Sequence, residues 1–509
     1  MALLSGGAFL FCYVWLYSRS RIAARHPCAT FLILPFRILC KRVLEEGSWP
    51  NCWRLHRIAP IFKKGNPSDP NNFRGIHLTS HISKVVERML KYMMAPILHI
   101  PAVAGRNQFA YLCRKGARDA LAYFVLTVIG GFARGVKFGI LKADVSGAFD
   151  RVPTARFMAK LEALGVPQKF LNLIAAWLSA RHAFIELGKQ MSEFIILTNQ
   201  VFQGTVLGPL LWNAFFADSI VALEKNFFEG LYFADDLHAF KEFDRATPNS
   251  VVQARVADCQ ASLHEWGAAN QVVFDPAKES THVLSLTDGD GSTFVLLGAL
   301  FDANLSMTQM CLQLVQTSKW KIACILRSRA FHDNADLLHI FKAKIWSYLE
   351  YRTSVIYHCN GDLLAEIDSL QERFLAKIGM CRKVAALHYS FLPLCTRRDI
   401  AMLGMLHRTR LGHGPSQFNA LFPTVSGSLH ISNPYVRAPY TVGPWCRQIP
   451  HMSYSAFGLI RVYNSLDKNI LETRTVHEFQ SALTAYIKSQ IRVGLRNWDK
   501  SLCPRLFGQ

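Results

Sequence analysis

Two adjacent acids, Asp235 and Asp236, stand near the middle of the chain between short apolar runs, in residues 231–240 (LYFADDLHAF). The pattern describes a hairpin with carboxylates at its turn, because the aromatic and aliphatic flanks favour strands and Ala-Asp-Asp gives the chain a place to reverse. Each carboxylate in a half-buried turn resists desolvation, and each raises its neighbour's pKa. A hard divalent cation relieves both effects: Mg²⁺ takes oxygen ligands, typically one or two carboxylates together with waters and substrate phosphates. A third acid lies upstream, where residues 139–150 (GILKADVSGAFD) read as a strand ending in Asp144 and followed by small residues, Phe149 and Asp150. Acids from a strand end and a hairpin tip, far apart in the chain, are the donor set of a two-metal site.

The elements that must position these acids are legible around them. Residues 139–145 are apolar apart from Lys142, which suits a buried strand. Two helices are expected within 154–180, interrupted by Gly165-Val166-Pro167, and a hairpin around Gly188 joins 183–187 to 194–197. Gln203-Gly204 follows; a glycine lets backbone approach a ligand closely, and the Gln amide can bond a sugar or base edge. Gly208-Pro209 opens an apolar helix running through Val221. Ahead of the acids, residues 58–64 (IAPIFKK) read as a strand ending in bases, and 80–100 as an amphipathic helix with Val85, Val86, Met89 and Leu90 inward. Behind them come a helix at 251–266 and a short strand at 272–274.

Beyond residue 305 the chain turns helical and basic. Helices are expected at 337–349, at 363–378 with Asp362 as N-cap and Gly379 as stop, and at 396–411 with Thr396-x-x-Asp399 as capping box and Gly412 as stop. The last of these carries Arg397, Arg398, Arg408 and Arg410. Residues 423–450 have the Pro, Gly and Ser content of a linker, and 476–491 form one more amphipathic helix, with Val476, Phe479, Leu483 and Ile487 on one side.

The 509 residues leave room for two to four domains, and 50% hydrophobic content excludes a disordered chain. A balance of 57 Lys and Arg against 36 Asp and Glu gives a net charge of +21, which suits a polyanionic partner. Thirteen cysteines without a C-x-x-C pair exclude a readable zinc knuckle or disulfide ladder and point to a reducing, intracellular compartment, nucleus or cytoplasm. No Walker A loop, H-E-x-x-H or G-x-S-x-G motif is present. Residues 2–17 are uncharged and apolar, but two glycines shorten the usable run, so a membrane anchor is not expected there. The apolar stretch 31–39, broken by Pro35 and Arg37, reads as a core helix.

Several ordered blocks resemble the reverse transcriptases of non-LTR (LINE-like) retrotransposons. Residues 72–90 and 108–121 are similar to the family's finger blocks, 142–152 (KADVSGAFDRV) to motif A, 203–209 (QGTVLGP) to motif B, 233–236 (FADD) to motif C, 270–278 (NQVVFDPAK) to motif D, and 294–301 to the following LG-containing block. The resemblance implies an α+β right-hand polymerase: fingers, a palm whose antiparallel sheet carries Asp144, Asp235 and Asp236, a helical thumb, and an α-rich C-terminal extension. It divides the chain into a lead-in (1–48), fingers and palm (49–305), thumb (306–422), linker (423–450) and helical tail (451–509). It implies RNA-templated DNA synthesis with two Mg²⁺ ions, Mn²⁺ being a substitute, and with an RNA template, a DNA primer or target and dNTPs as partners.

By the same resemblance, Arg74 with Lys63 or Lys64 grips the incoming triphosphate, Phe149 lies under the sugar and excludes a 2′-hydroxyl, Gln203-Gly204 meets the nucleotide, and Lys278 stands near the leaving pyrophosphate. Arg397, Arg398, Arg408 and Arg410 are expected to track the duplex by its phosphates. A second reading is a retroelement remnant that binds nucleic acid without catalysis, motivated by the absence of an endonuclease block and a zinc knuckle. The sequence carries no signal for an oligomeric state.

Overall fold

The computed structural model describes residues 28–423 and 449–506; the apolar run 2–17 and nearly all of the stretch 423–450 lie outside them. The α+β class expected from the sequence is the class observed. The described chain divides into two compact units whose segments interleave: one takes the residues up to Tyr111 with Lys142–His238 and Asp258–Glu279, the other Leu112–Leu141, Ala239–Ala257 and the residues from Ser280 on.

In the first unit, strands β1 (Leu55–Phe62) and β2 (Phe73–Leu78) pair antiparallel, with Ile58 opposite His77 and Ile61 opposite Arg74. Strand β3 (Val136–Asp144) belongs to a second sheet, and β4 (Arg181–Leu187), β5 (Gln190–Met191) and β6 (Ile195–Leu197) return to the first, giving the order β2-β1-β4-β5 with β6 also on β4. β1 and β4 run parallel, whereas β5 and β6 fold back antiparallel on β4 beyond Gly188, whose φ of 63° is the left-handed turn that glycine allows. The second sheet has the order β7-β8-β3-β9, with β7 (Glu229–Phe233), β8 (Asp236–Asp244) and β9 (Ser280–Leu284).

Helix His81–Leu98 buries Val86, Leu90, Met94 and Leu98 at four-residue spacing, one stripe against the core. Val85 and Met89, expected inward, are only half-buried, and the stripe includes Glu87 instead. The pair Thr154–Ala163 and Gln168–Leu178 flanks the expected break. Helix Gly208–Phe216 is shorter than expected, continuing through a tighter 3₁₀ turn at Ala217–Ser219 into Ile220–Glu224. The strand expected at 272–274 reduces to a single bridge between Phe274 and Val145.

The stretch 31–39 is helical within Cys28–Glu46, but it is not core. Phe31, Leu32, Leu34 and Ile38 are exposed, and burial begins only at Cys40, Val43 and Leu44. A run that is apolar on every side offers no single stripe for one neighbour to cover.

The second unit centres on the buried helix Ala117–Ala133, whose Phe124 meets the rings of Phe240, Phe294 and Phe301 edge-on. Around it are Thr308–Arg327, Asn334–Phe341 continuing through a π-helical turn to Ser347–Glu350, Gly361–Lys377, Leu394–Arg410 and Val476–Arg492. Two caps differ from expectation. Asn360, not Asp362, caps Gly361–Lys377, and its side chain accepts from the Asp362 N–H. The helix expected from Thr396 starts earlier, at Leu394, so Thr396 is inside it and donates its hydroxyl to the Asp499 carbonyl at 2.7 Å. The capping box that does form is Thr475 with Glu478, at the start of Val476–Arg492. Among the described residues no helix is long and apolar enough to cross a membrane.

Candidate active site

Asp144, Asp235 and Asp236 all belong to the first unit. β3 delivers Asp144 as its last residue, and β7 and β8 form the hairpin expected from the flanking apolar runs, with Ala234 and Asp235 as the turn and Asp236 opening β8. Ala234 is in the left-handed region, at φ 59°, a conformation that costs a non-glycine residue about 1 kcal/mol and needs support. Support comes from Gln108, whose Oε1 accepts from the Ala234 N–H at 3.0 Å and the Ala110 N–H at 2.9 Å. The Trp212 indole donates to the Ala234 carbonyl at 3.1 Å, so both backbone groups of this residue are held. Residues 107–109 lie along β7, with Tyr232 donating to Asn107 and Phe109 donating to Tyr232. Gln108 stands inside an expected finger block without a role of its own, because an amide next to Asn107 and Phe109 has no pattern that singles it out.

The carboxylates feel one another. Asp236 is raised from an ordinary 3.8 to about 6, first by burial, then by the charges of Asp235 and Asp144 and by a hydrogen bond with the Asp144 side chain. Asp235 is raised as well, again mainly by burial, with Asp144 adding to the rise and Arg74 and Lys278 opposing it. Asp144 and Asp236, drawn from separate strands, are therefore close enough for their carboxyl groups to act on each other. Lys278 donates to Asp144 Oδ2 at 2.6 Å and pairs with Asp275 at 3.1 Å, which raises its own pKa and keeps it a cation. Asp275 is fixed in turn by its backbone N–H, which donates to the Asp144 carbonyl at 2.9 Å.

As they stand, no three His, Cys, Asp or Glu side chains among the described residues form a ready cage for a metal ion. The donor chemistry nevertheless suits a hard divalent cation: three oxygen donors, two of them shifted toward the neutral form because nearby cations offset only part of their burial and mutual repulsion, and the third paired with a lysine. Asp144, Asp235 and Asp236 are the residues that could hold one.

The remaining expected residues distribute around this cluster unevenly. Arg74, on β2, is exposed and close enough to Asp235 for its charge to act there. Lys63, at the end of β1, similarly opposes the burial-driven rise of the Asp150 carboxyl, whereas Lys64 is simply exposed. Gln203 and Gly204 lie against β2: the His77 N–H donates to the Gln203 carbonyl at 2.8 Å, and Gly204, at φ 99°, has room for no Cβ, which would meet the His77 carbonyl at 2.8 Å. Phe149 is 8% exposed and stacks on Trp212 with ring centroids 5.7 Å apart.

The four arginines expected to face nucleic acid do not form a basic surface. Arg397 pairs with Glu350, Arg398 makes a bidentate pair with Asp368 at 2.6 and 2.7 Å, Arg408 pairs with Asp119, and Arg410 donates to the Leu471 carbonyl at 2.6 Å. Helical spacing shows which residues share a helix but not which acids face them. The sequence also gave no role to Glu87, which the structure puts behind Gln203-Gly204; the signal was an acid on the apolar stripe of its helix.

A family model described as reverse transcriptase (RNA-dependent DNA polymerase) matches residues 61–282. The probable RNA-directed DNA polymerase from transposon BS of Drosophila melanogaster is 25% identical over 197 residues, covering 37% of this chain and 22% of that protein. The RNA-directed DNA polymerase from mobile element jockey of Drosophila funebris is 23% identical over 376 residues, covering 68% of this chain and 40% of that protein. The chain thus spans well under half the length of these relatives. Among solved structures, telomerase from Candida albicans in complex with a fragment of telomeric RNA aligns with a TM-score of 0.37 at 12% identity, over 72% of this chain and 66% of that one. Residues 61–282 thus match the reverse transcriptase family model, and the relatives aligned with the chain are named as RNA-directed DNA polymerases of a transposon and of a mobile element.

Proposed function

We propose that the chain is an RNA-directed DNA polymerase of a non-LTR retrotransposon, joining dNTPs to a DNA primer 3′-hydroxyl on an RNA template. The observation that carries the reading is the meeting of Asp144 with the motif C hairpin, where the Asp236 carboxyl is held near pH 6 by burial and by its two acidic neighbours. Asp144, Asp235 and Asp236 would hold two Mg²⁺ ions, or Mn²⁺ in their place, whose chemistry when bound is to acidify the primer hydroxyl and neutralise the leaving pyrophosphate.

The chain's own residues bind and orient. Arg74 and Lys63 offer fixed cations to triphosphate oxygens, so negative charge developing there meets a charge already in place. Lys278, a protonated donor beside Asp144, supplies a proton or a hydrogen bond on the opposite side. The backbone at Gly204 comes close to whatever lies over β2, since nothing larger than hydrogen projects from it. Phe149, packed on Trp212, gives the sugar a rigid wall that a 2′-hydroxyl would strike. The test is primer extension on an RNA template with Mg²⁺, wild type beside Asp235→Asn. The proposal expects extension by the wild type alone, with dNTPs used in preference to rNTPs; equal extension by both, or by neither, contradicts it.

A further inference from the structure

Behind Gln203-Gly204 lies a buried cation with no carboxylate in contact. Arg181, the first residue of β4, is 1% exposed and lies among the rings of Trp49, Trp177 and Phe202, each 5.1–5.5 Å from its guanidinium carbon. It donates to the Trp177 carbonyl at 2.5 Å, to the Trp53 carbonyl at 2.9 Å and to His56 Nε2 at 2.9 Å. Burying a guanidinium this way is unfavourable compared with a hydrocarbon side chain of similar volume, so packing alone does not account for it.

The bonds that leave it have a direction. His56 uses Nε2 as an acceptor, so in the neutral ring its proton is on Nδ1, which faces His77 Nδ1 at 3.0 Å. His77 must accept there, which puts its own proton on Nε2. Both rings are kept neutral by burial and by the guanidinium charge, His56 pushed down to about 2 and His77 to about 4. The chain Arg181 to His56 to His77 therefore has a single polarity and fixes the His77 ring on β2. The backbone of that same residue holds the nucleotide loop: its N–H donates to Gln203, and its carbonyl lies where a side chain on residue 204 would be.

The far end of the loop is held from the opposite charge. Glu87, 1% exposed on helix His81–Leu98, accepts with Oε2 from the Val206 N–H at 2.7 Å and the Leu207 N–H at 3.2 Å, just before helix Gly208–Phe216. Its charge and that of Arg181 act on each other without touching, each offsetting part of the other's burial.

We infer that Arg181, His56, His77 and Glu87 are a positioning unit for residues 203–207, which clamps the loop at both ends so that Gln203-Gly204 presents a fixed surface to the incoming nucleotide. The inference rests on the polymerase reading. It adds that nucleotide binding, rather than the bond-forming step, depends on these buried groups. None of them is a catalytic residue; each acts through the loop.

The experiment is steady-state single-nucleotide extension by the full chain, wild type, Glu87→Ala and Glu87→Gln, with primer–template affinity measured alongside by fluorescence anisotropy. Glu87→Ala is expected to raise KM for dNTP by about tenfold while kcat changes by less than about threefold, with primer–template affinity unchanged. Glu87→Gln, whose amide oxygen can still accept, is expected to recover most of the KM. Loss of kcat and primer–template affinity in step with KM, with no recovery by Gln, assigns the residue to general stability and overturns the inference. Should Glu87→Ala fail to fold, His56→Phe removes the bonds to Arg181 and His77 without altering any residue of the loop and must give the same split; unchanged KM there overturns the inference. A wild type inactive in extension fails the polymerase reading instead.

Discussion

At the level of single residues, the three aspartates are costly to hold side by side, and that cost is measurable. Asp236 has a folded-state pKa of about 6 against an ordinary 3.8, so the folded chain binds that proton more tightly than the unfolded one. The stability belonging to the protonated form is intact at low pH and is lost as pH climbs from about 4 through 6. A rise from 3.8 to about 6 amounts to about 3 kcal/mol at most, and solvent screening at a half-buried site reduces it to roughly 1–2 kcal/mol. Asp236→Asn is thus expected to raise the metal-free melting temperature by about 2–4 °C at pH 7.5 and to change it little at pH 4. Calorimetry at the two pH values checks this, and an equal effect at both contradicts the assignment. These three residues were legible because adjacent acids between apolar runs are joined by a third acid at a strand end, in blocks that resemble one family's motifs. Glu87 and Arg181 were not, since a single charge within an apolar pattern reads as surface until its burial is seen.

At the level of elements, the hairpin and the strand that carry the acids followed from hydrophobic pattern, because period and burial agree there. What the pattern could not show was how the strained turn is held. Gln108, 126 residues away in sequence, supplies the bonds that Ala234 needs, and Gln108→Ala leaves the Ala110 and Ala234 N–H groups buried without their acceptor. That substitution is expected to destabilise the protein by about 2–3 kcal/mol and to reduce extension even below the melting transition, because the turn carrying Asp235 loosens. Denaturant unfolding beside extension kinetics checks it; normal activity at full folding would contradict the role. The caps show the same limit from another side. Thr396-x-x-Asp399 and Thr475-x-x-Glu478 match one pattern, but only the second caps a helix, since Thr396 is drawn to the Asp499 carbonyl after the helix has begun.

Over the whole molecule, a net charge of +21 supports a polyanionic partner, but it does not say which cations meet it. The helix Leu394–Arg410 illustrates the difference: its arginines are used inside the protein, and Arg398 is 7% exposed against Asp368. Arg398→Ala leaves Asp368 without its partner and is expected to cost about 3–5 kcal/mol of stability. It should leave unchanged the slope of log affinity for RNA against log salt concentration, which counts phosphate contacts. A binding titration from 50 to 300 mM salt separates the two, and a slope reduced by about one unit would return Arg398 to the nucleic-acid interface.

A shared catalytic site requires Asp144 to act with the hairpin and not merely lie beside it. Single-turnover extension on an RNA template by Asp144→Asn, Asp235→Asn and the double variant measures this directly. If the acids work as one site, each single substitution lowers the rate by about a thousandfold or more and the double variant is little worse than either, because parts of a unit fail together. A rate for Asp144→Asn within about tenfold of wild type, or losses that multiply in the double variant, would contradict the shared site.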